Sequence, residues 1–284
     1  MNTIETTILS IVIMIGLGYI LKKIDFLSDK DIDSLNKIVI NLLLPCMIFS
    51  ALYSADLSLL PKLSILTVLI LISSFITGIT SYLILKKLNF DDRKIWSVLI
   101  TIMIANTAFM GYPVNLGIYG SEGLLRAIFC DIATTCIFII LSFALALKFG
   151  GSIKTAIRKI IVFPPLWAII LGLIFNLLLL PIGGVLEKTI DYLAGGTIPL
   201  IMLSLGISID LSGFYRSKFM VLFTTIMKLI IFPIIAIFLA KFFGLVDLQY
   251  NVGIIEAAMP SGMLSLVLAI TNYQIGRASC RERV

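Results

Sequence analysis

The sequence predicts an all-α integral membrane protein built as an inverted repeat, and three observations predict it: the hydropathy, the length of the apolar windows and the recurrence of proline. Mean hydropathy is +1.11, with 60% hydrophobic and 13% charged residues, against roughly 25% charged in ordinary soluble domains. The apolar windows run near the 20 residues a helix needs to cross a bilayer. Prolines recur inside them at matched places. Pro199 follows Pro45 by 154 residues, and Pro260 follows Pro113 by 147. A proline break leaves backbone groups unpaired, which hydrocarbon tolerates only where the break is buried in protein or lines a polar cavity.

In chain order the windows fall near 4–21, 37–54, 63–85, 95–119, 123–147, 161–181, 185–209, 218–240 and 248–271. The first follows a start containing Glu5 and lacks a basic leader or a small-residue cleavage site, so it reads as a retained helix. Loops after windows one, three, five and seven hold fourteen Lys and Arg, and the other interior loops hold only Lys62, Arg126, Lys188 and Lys241. That bias puts the first set inside and the amino terminus outside the cell's inner (plasma) membrane. Residues 1–149 form the first repeat of five spans. Residues 150–160 form a cytoplasmic amphipathic linker whose basic and apolar residues alternate at helical spacing. Residues 161–275 hold spans six to nine of the second repeat, and 276–284, GRASCRERV, read as a non-native tail in place of a missing tenth span. Halves with an odd number of spans insert in opposite senses, so broken spans four and nine are expected to cross near the bilayer midplane.

The residue inventory narrows the function. The chain has no histidine, and its four cysteines show no metal-ligand spacing, so neither a metal centre nor a cofactor is called for and no catalytic set stands out. The net charge of +6 sits in short loops between apolar runs, which membrane topology explains without nucleic acid.

Window four carries ANTAFMGYPV, where Asn106 supplies donor and acceptor, Gly111 permits close backbone approach and Pro113 opens a following half-helix. Window nine carries IEAAMPSGM, with Pro260 and Gly262 at the corresponding break and Ser261 as a hydroxyl ligand. Around windows two and seven, NLLLPCMIF and GGTIPLIMLSLG add Asn41, Pro45, Thr197 and Pro199 as flanking substrate-site candidates, with Ser204 beside them. Small polar residues of this kind also serve helix packing. Ionisable groups inside spans are costly and mark function by default. Asp131, Lys228 and Glu256 are therefore the ion-coupling candidates, through a proton or sodium, with Lys228 also able to balance a carboxylate.

On these motifs the chain resembles the auxin efflux carrier (PIN-like) family, within the superfamily of the sodium/bile acid symporters. The match runs over residues 4–271 and is most specific at Asn106, Phe109, Gly111 and Pro113, supported by Leu44–Pro45, the TIPL run from Thr197 and the AAMP run ending at Pro260. The resemblance implies ten spans in a five-plus-five inverted repeat, crossing broken helices four and nine, and secondary transport of organic anions by alternating access as an efflux permease. The short linker and the uncharged stretch Ile65–Leu85 differ from plant members, which points to a bacterial-type carrier of small carboxylates. The alternatives are a sodium-coupled symporter of the bile-acid or arsenite type and a membrane-embedded enzyme or sensor, the latter without a paired catalytic motif. The expected partners are a small organic anion, the lipid bilayer and a second copy of the chain as a homodimer.

Overall fold

The computed structural model describes residues 3–149, 153–209 and 218–262, together with 265 and 268. The expected tail at 276–284, the tenth span and the end of window nine lie outside the described residues. Helices account for nearly all of what is described: α1 (Thr3–Lys23), α2 (Asp29–Ile38), α3 (Leu44–Tyr53), α4 (Leu60–Lys87), α5 (Asp92–Met103), α6 (Tyr112–Phe149), α7 (Ile153–Ile161), α8 (Pro164–Leu177), α9 (Gly184–Gly195), α10 (Thr197–Ile207), α11 (Lys218–Ile226), α12 (Phe232–Phe242) and α13 (Asp247–Ala257). Extended pairing among the described residues is confined to one isolated bridge, Ala105 with Ser261. The helix ends follow from local chemistry. Ser28 donates from both its amide and its hydroxyl to Asp31 at the start of α2. Asp91 accepts from the Lys94 amide at the start of α5, and α1 closes on Lys22 and Lys23, where the helix dipole favours cations.

Among the described residues, six helices are long and apolar enough to cross a bilayer: Ile4–Lys23, Lys30–Tyr53, Leu57–Lys87, Thr107–Phe149, Gly184–Ile207 and Lys218–Phe242. The nine expected windows and these six differ for physical reasons. Windows four and five share the 43-residue run Thr107–Phe149, jointed at Gly120, whose φ of 65° and ψ of −156° suit only glycine. Window six is the 14-residue α8, and windows four and nine are interrupted.

Three of the four prolines expected to break helices do not, Pro260 being the exception. Pro45 follows a π-turn, Val39–Leu43, in which the Leu44 amide bonds the Val39 carbonyl, and the helix runs on into α3. Widening one turn by a residue absorbs the missing proline N–H and the ring's clash with the preceding turn. The same device precedes Pro113, at Thr107–Gly111, and Pro233, at Met227–Ile231. Pro199 sits in the first turn of α10, just after the Gly195–Gly196 joint between α9 and α10.

The chain forms two compact units, each drawing on both sequence halves. The first comprises Met1–Leu60, Tyr112–Leu125 and Val162–Gly213, and the second Pro61–Gly111, Arg126–Ile161 and Phe214–Val284. In the first unit α1 packs on α10 and α3 on α8 and α9. The α1–α10 contact is backbone on backbone. A Cβ on Gly206 would stand 2.0 Å from the Ile15 carbonyl oxygen, and one on Gly18 2.3 Å from that of Leu203. Small residues allow this approach, which is how helices associate where lipid removes the hydrophobic drive. Polar side chains add to it: the Ser204 hydroxyl donates to Asn36 Oδ1 at 2.6 Å, and Asn176 donates to the Leu52 and Ala55 carbonyls.

In the second unit α4, α5, α6 and the π-turn before α12 enclose an apolar core that includes Leu85, Ile100, Met103, Ile104, Ile137 and Met227. Ser74 reaches out of α4 to the Met103 carbonyl at 3.1 Å, and Gly78 leaves room for the Met103 side chain. At the polar end Asp92 binds Lys148 at 2.7 Å and Lys86 at 3.4 Å. Its hydrogen bonds, first to Lys148 and then to Lys86, hold the Asp92 carboxyl below the usual carboxylate range.

Candidate functional site

The centre of the second unit is an interruption in two apolar helices that mend each other. After Met103 the chain leaves helical geometry at Ile104 (φ −93°, ψ 106°), and after the capping residue Ala258 it does so at 259–262. The freed backbone groups pair antiparallel: the Asn106 amide donates to the Pro260 carbonyl and the Gly262 amide to the Ile104 carbonyl, both at 2.8 Å. Unpaired, each would cost several kcal/mol in hydrocarbon, of order 2–7. Gly262 is required here, because a Cβ would lie 2.5 Å from the Ala105 carbonyl oxygen. A helix restarts at Thr107 after the first break. The Asn106 carbonyl accepts from the Met110 and Gly111 amides, and the Gly262 carbonyl accepts from both the amide and the hydroxyl of Ser265.

Two buried carboxylates stand beside this pairing, and a buried lysine lies elsewhere in the same unit. Glu256, wholly buried one turn before the second break, presses its carboxylate on the backbone of Gly111. A Cβ there would stand 2.2 Å from both Glu256 oxygens. Asp131 is buried and accepts a hydrogen bond from the Thr107 hydroxyl in the first turn after the break. Cys130, next to Asp131 in α6, is wholly buried. Lys228, 1% exposed in the π-turn before Pro233, sets its ammonium 3.8 Å from the centre of the Phe232 ring.

Residues 3–281 match the family described as "Membrane transport protein". The chain belongs to that family. An "Uncharacterized transporter" of Methanothermobacter thermautotrophicus is 39% identical over 266 residues, covering 94% of this chain and 88% of its own. Another from Methanocaldococcus jannaschii is 33% identical over 274 residues, covering 94% and 89%.

In this membrane transport protein, a multi-pass integral membrane chain, the sequence-predicted residues divide between the units. Asn106, Gly111, Pro260, Ser261 and Gly262 come together in the second, with Asp131 and Glu256, and Lys228 lies in the same unit against the Phe232 ring. Asn41, Pro45, Pro113, Thr197 and Pro199 belong to the first. There the Thr197 hydroxyl donates to the Leu43 carbonyl at 3.1 Å and so ties the Pro45 and Pro199 segments together. Asn41 is exposed and donates to the Lys37 carbonyl of its own helix, and Pro199 is exposed. Three residues escaped the sequence reading. Arg126, counted there among loop bases, is buried in α6 at 8% exposure; its position one helical turn before Cys130 was the available signal. Thr107 is marked only by adjacency to Asn106, and Asn36 only by lying five residues before Asn41.

Proposed function

We propose that this family member is a secondary carrier of small organic anions, carboxylates above all, acting as an efflux permease by alternating access in the inner (plasma) membrane with its amino terminus outside. The observation that carries the reading is the antiparallel pairing of 104–106 with 260–262, flanked by Glu256 against Gly111 and by Asp131 bonded to Thr107. Backbone opened at the depth of an apolar core, held by two hydrogen bonds and surrounded by buried charge, is the arrangement that polar solutes need to cross hydrocarbon. The helix restarting at Thr107 points its first amides toward the break, which favours a carboxylate, and Asn106 completes the cradle. The inverted repeat, with halves 1–149 and 161–275, agrees with how the compact units are drawn. Windows one, two, six and seven supply the first, and three, five, eight and nine, with the start of four, the second.

Asn106→Ala tests the assignment, because the Asn106 contact with Pro260 uses the backbone amide and survives the change. In proteoliposomes the variant should keep the wild-type melting temperature and lose at least about tenfold in carboxylate uptake, the loss of one charge-assisted hydrogen bond. Unchanged uptake removes Asn106 from the site, and wild-type protein that neither moves nor is stabilised by any of a panel of carboxylic acids refutes the carrier reading.

A further inference from the structure

At the polar end of the second unit, exposed bases meet acids: Lys86 and Lys148 share Asp92, and Lys94 stands 3.6 Å from Asp91. The next helix, α7, has no such partners. Residues 150–162 carry Lys154, Arg158 and Lys159 and no acid, and the exposed Lys154 and Arg158 make no ion pair among the described residues. α7 is also strongly amphipathic. Ile153 and Ile157 lie one turn apart on a single stripe and are 44% and 43% exposed, and Ile161 continues it. The described protein leaves that stripe open. A helix of nine residues is marginal in water by itself, so α7 needs a surface that accepts isoleucine on one side and positive charge along its border.

Its setting supplies one. At nine residues α7 is about 14 Å long, less than half of a hydrocarbon core of about 30 Å, and does not cross it. Before it in the chain, Phe149 at the end of α6 meets Trp96 edge-on, with 6.3 Å between ring centres. After it, Trp167 stands exposed in the first turn of α8. Indole rings at the ends of apolar helices mark the headgroup level, and α7 is tied to such a helix end on each side.

We propose that α7 is a docking helix for anionic phospholipid in the leaflet at which α6 ends, with Ile153, Ile157 and Ile161 set at the acyl-chain boundary and Lys154 and Arg158 on the lipid phosphates. A zwitterionic headgroup offsets its phosphate with its own ammonium, whereas an anionic one leaves a negative surface that draws bases, by about fivefold in affinity for each and so about 25-fold for two. An acidic protein would match the same charge, but the tether of α7 to a membrane-level helix end on each side keeps it against lipid at all times. Docking of this kind is independent of what the protein carries.

The test is amide hydrogen exchange of the purified full chain in nanodiscs of phosphatidylcholine, with and without phosphatidylglycerol. Amides of 153–161 should exchange at least about fivefold more slowly in the anionic discs, and high salt should remove the difference. Lys154→Gln combined with Arg158→Gln changes two exposed side chains and should abolish the difference while exchange in α4 stays as in wild type. Should the double variant fail to reconstitute, either substitution alone should lessen the difference by about fivefold. Equal exchange in the two discs, the result that a protein occupant of α7 would give, overturns the proposal. So does a difference that survives the double substitution, since other bases would then be responsible.

Discussion

Adding a methyl group at Gly111 probes the contact that joins the two broken helices to a charged side chain. The new Cβ would stand 2.2 Å from each Glu256 oxygen, where ordinary contacts begin at 3.4 Å, so the carboxylate must retreat by about 1.2 Å. Glu256 is wholly buried, and retreat means displacing packed neighbours. Overpacking of this kind costs about 1–3 kcal/mol, which for a chain of this size lowers the melting temperature by about 2–12 °C. Thermal unfolding of purified Gly111→Ala in detergent measures it. Glu256→Asp withdraws the carboxylate by one methylene and should relieve the clash, so the double variant should be more stable than the sum of the single effects predicts, by at least about 0.5 kcal/mol. Additive single effects, or a Gly111→Ala protein that melts with the wild type, would refute the close contact and the role assigned to Gly111.

Two further outcomes are expected from contacts elsewhere. Gly206→Ala brings a Cβ to 2.0 Å from the Ile15 carbonyl oxygen, a backbone atom that cannot swing aside, so α1 and α10 must part; a loss of about 1–3 kcal/mol is expected in thermal unfolding. Asp92, held below the usual carboxylate range by Lys148 and Lys86, contributes stability that is present above its unfolded pKa and lost as the pH falls through its folded value. Asp92→Asn should therefore flatten the acid limb of a melting-temperature profile and leave it parallel to wild type above neutrality.

The interruption of windows four and nine was legible because Asn106, Gly111 and Pro113 on one side and Pro260 and Gly262 on the other break an apolar run with residues that hydrocarbon does not tolerate without compensation. That Ala105 pairs with Ser261 by backbone was not legible, since main-chain hydrogen bonds leave little trace in side-chain identity. Pro45 reads like Pro260 in sequence, yet the helix continues through it, because a π-turn can absorb a proline and nothing in the local composition says whether it will. Arg126 was counted with the loop bases although window five, 123–147, contains it, because a base in the first turn of a span is indistinguishable by composition from one in the adjoining loop. Asn36 and Asn41 both lie on the approach to α3, and only the structure shows that Asn36 meets Ser204 whereas Asn41 bonds its own helix.

The hydrogen bonds at the break also constrain how the protein is made. The strand at 104–106 leaves the ribosome about 150 residues before its partner at 260–262, a delay of about 8–30 s at ordinary elongation rates. Throughout that interval a nascent chain carries open peptide groups within a stretch hydrophobic enough to enter lipid. Biogenesis therefore calls for a sheltered, wet compartment, such as an insertase cavity, that retains the early helices until the late ones arrive.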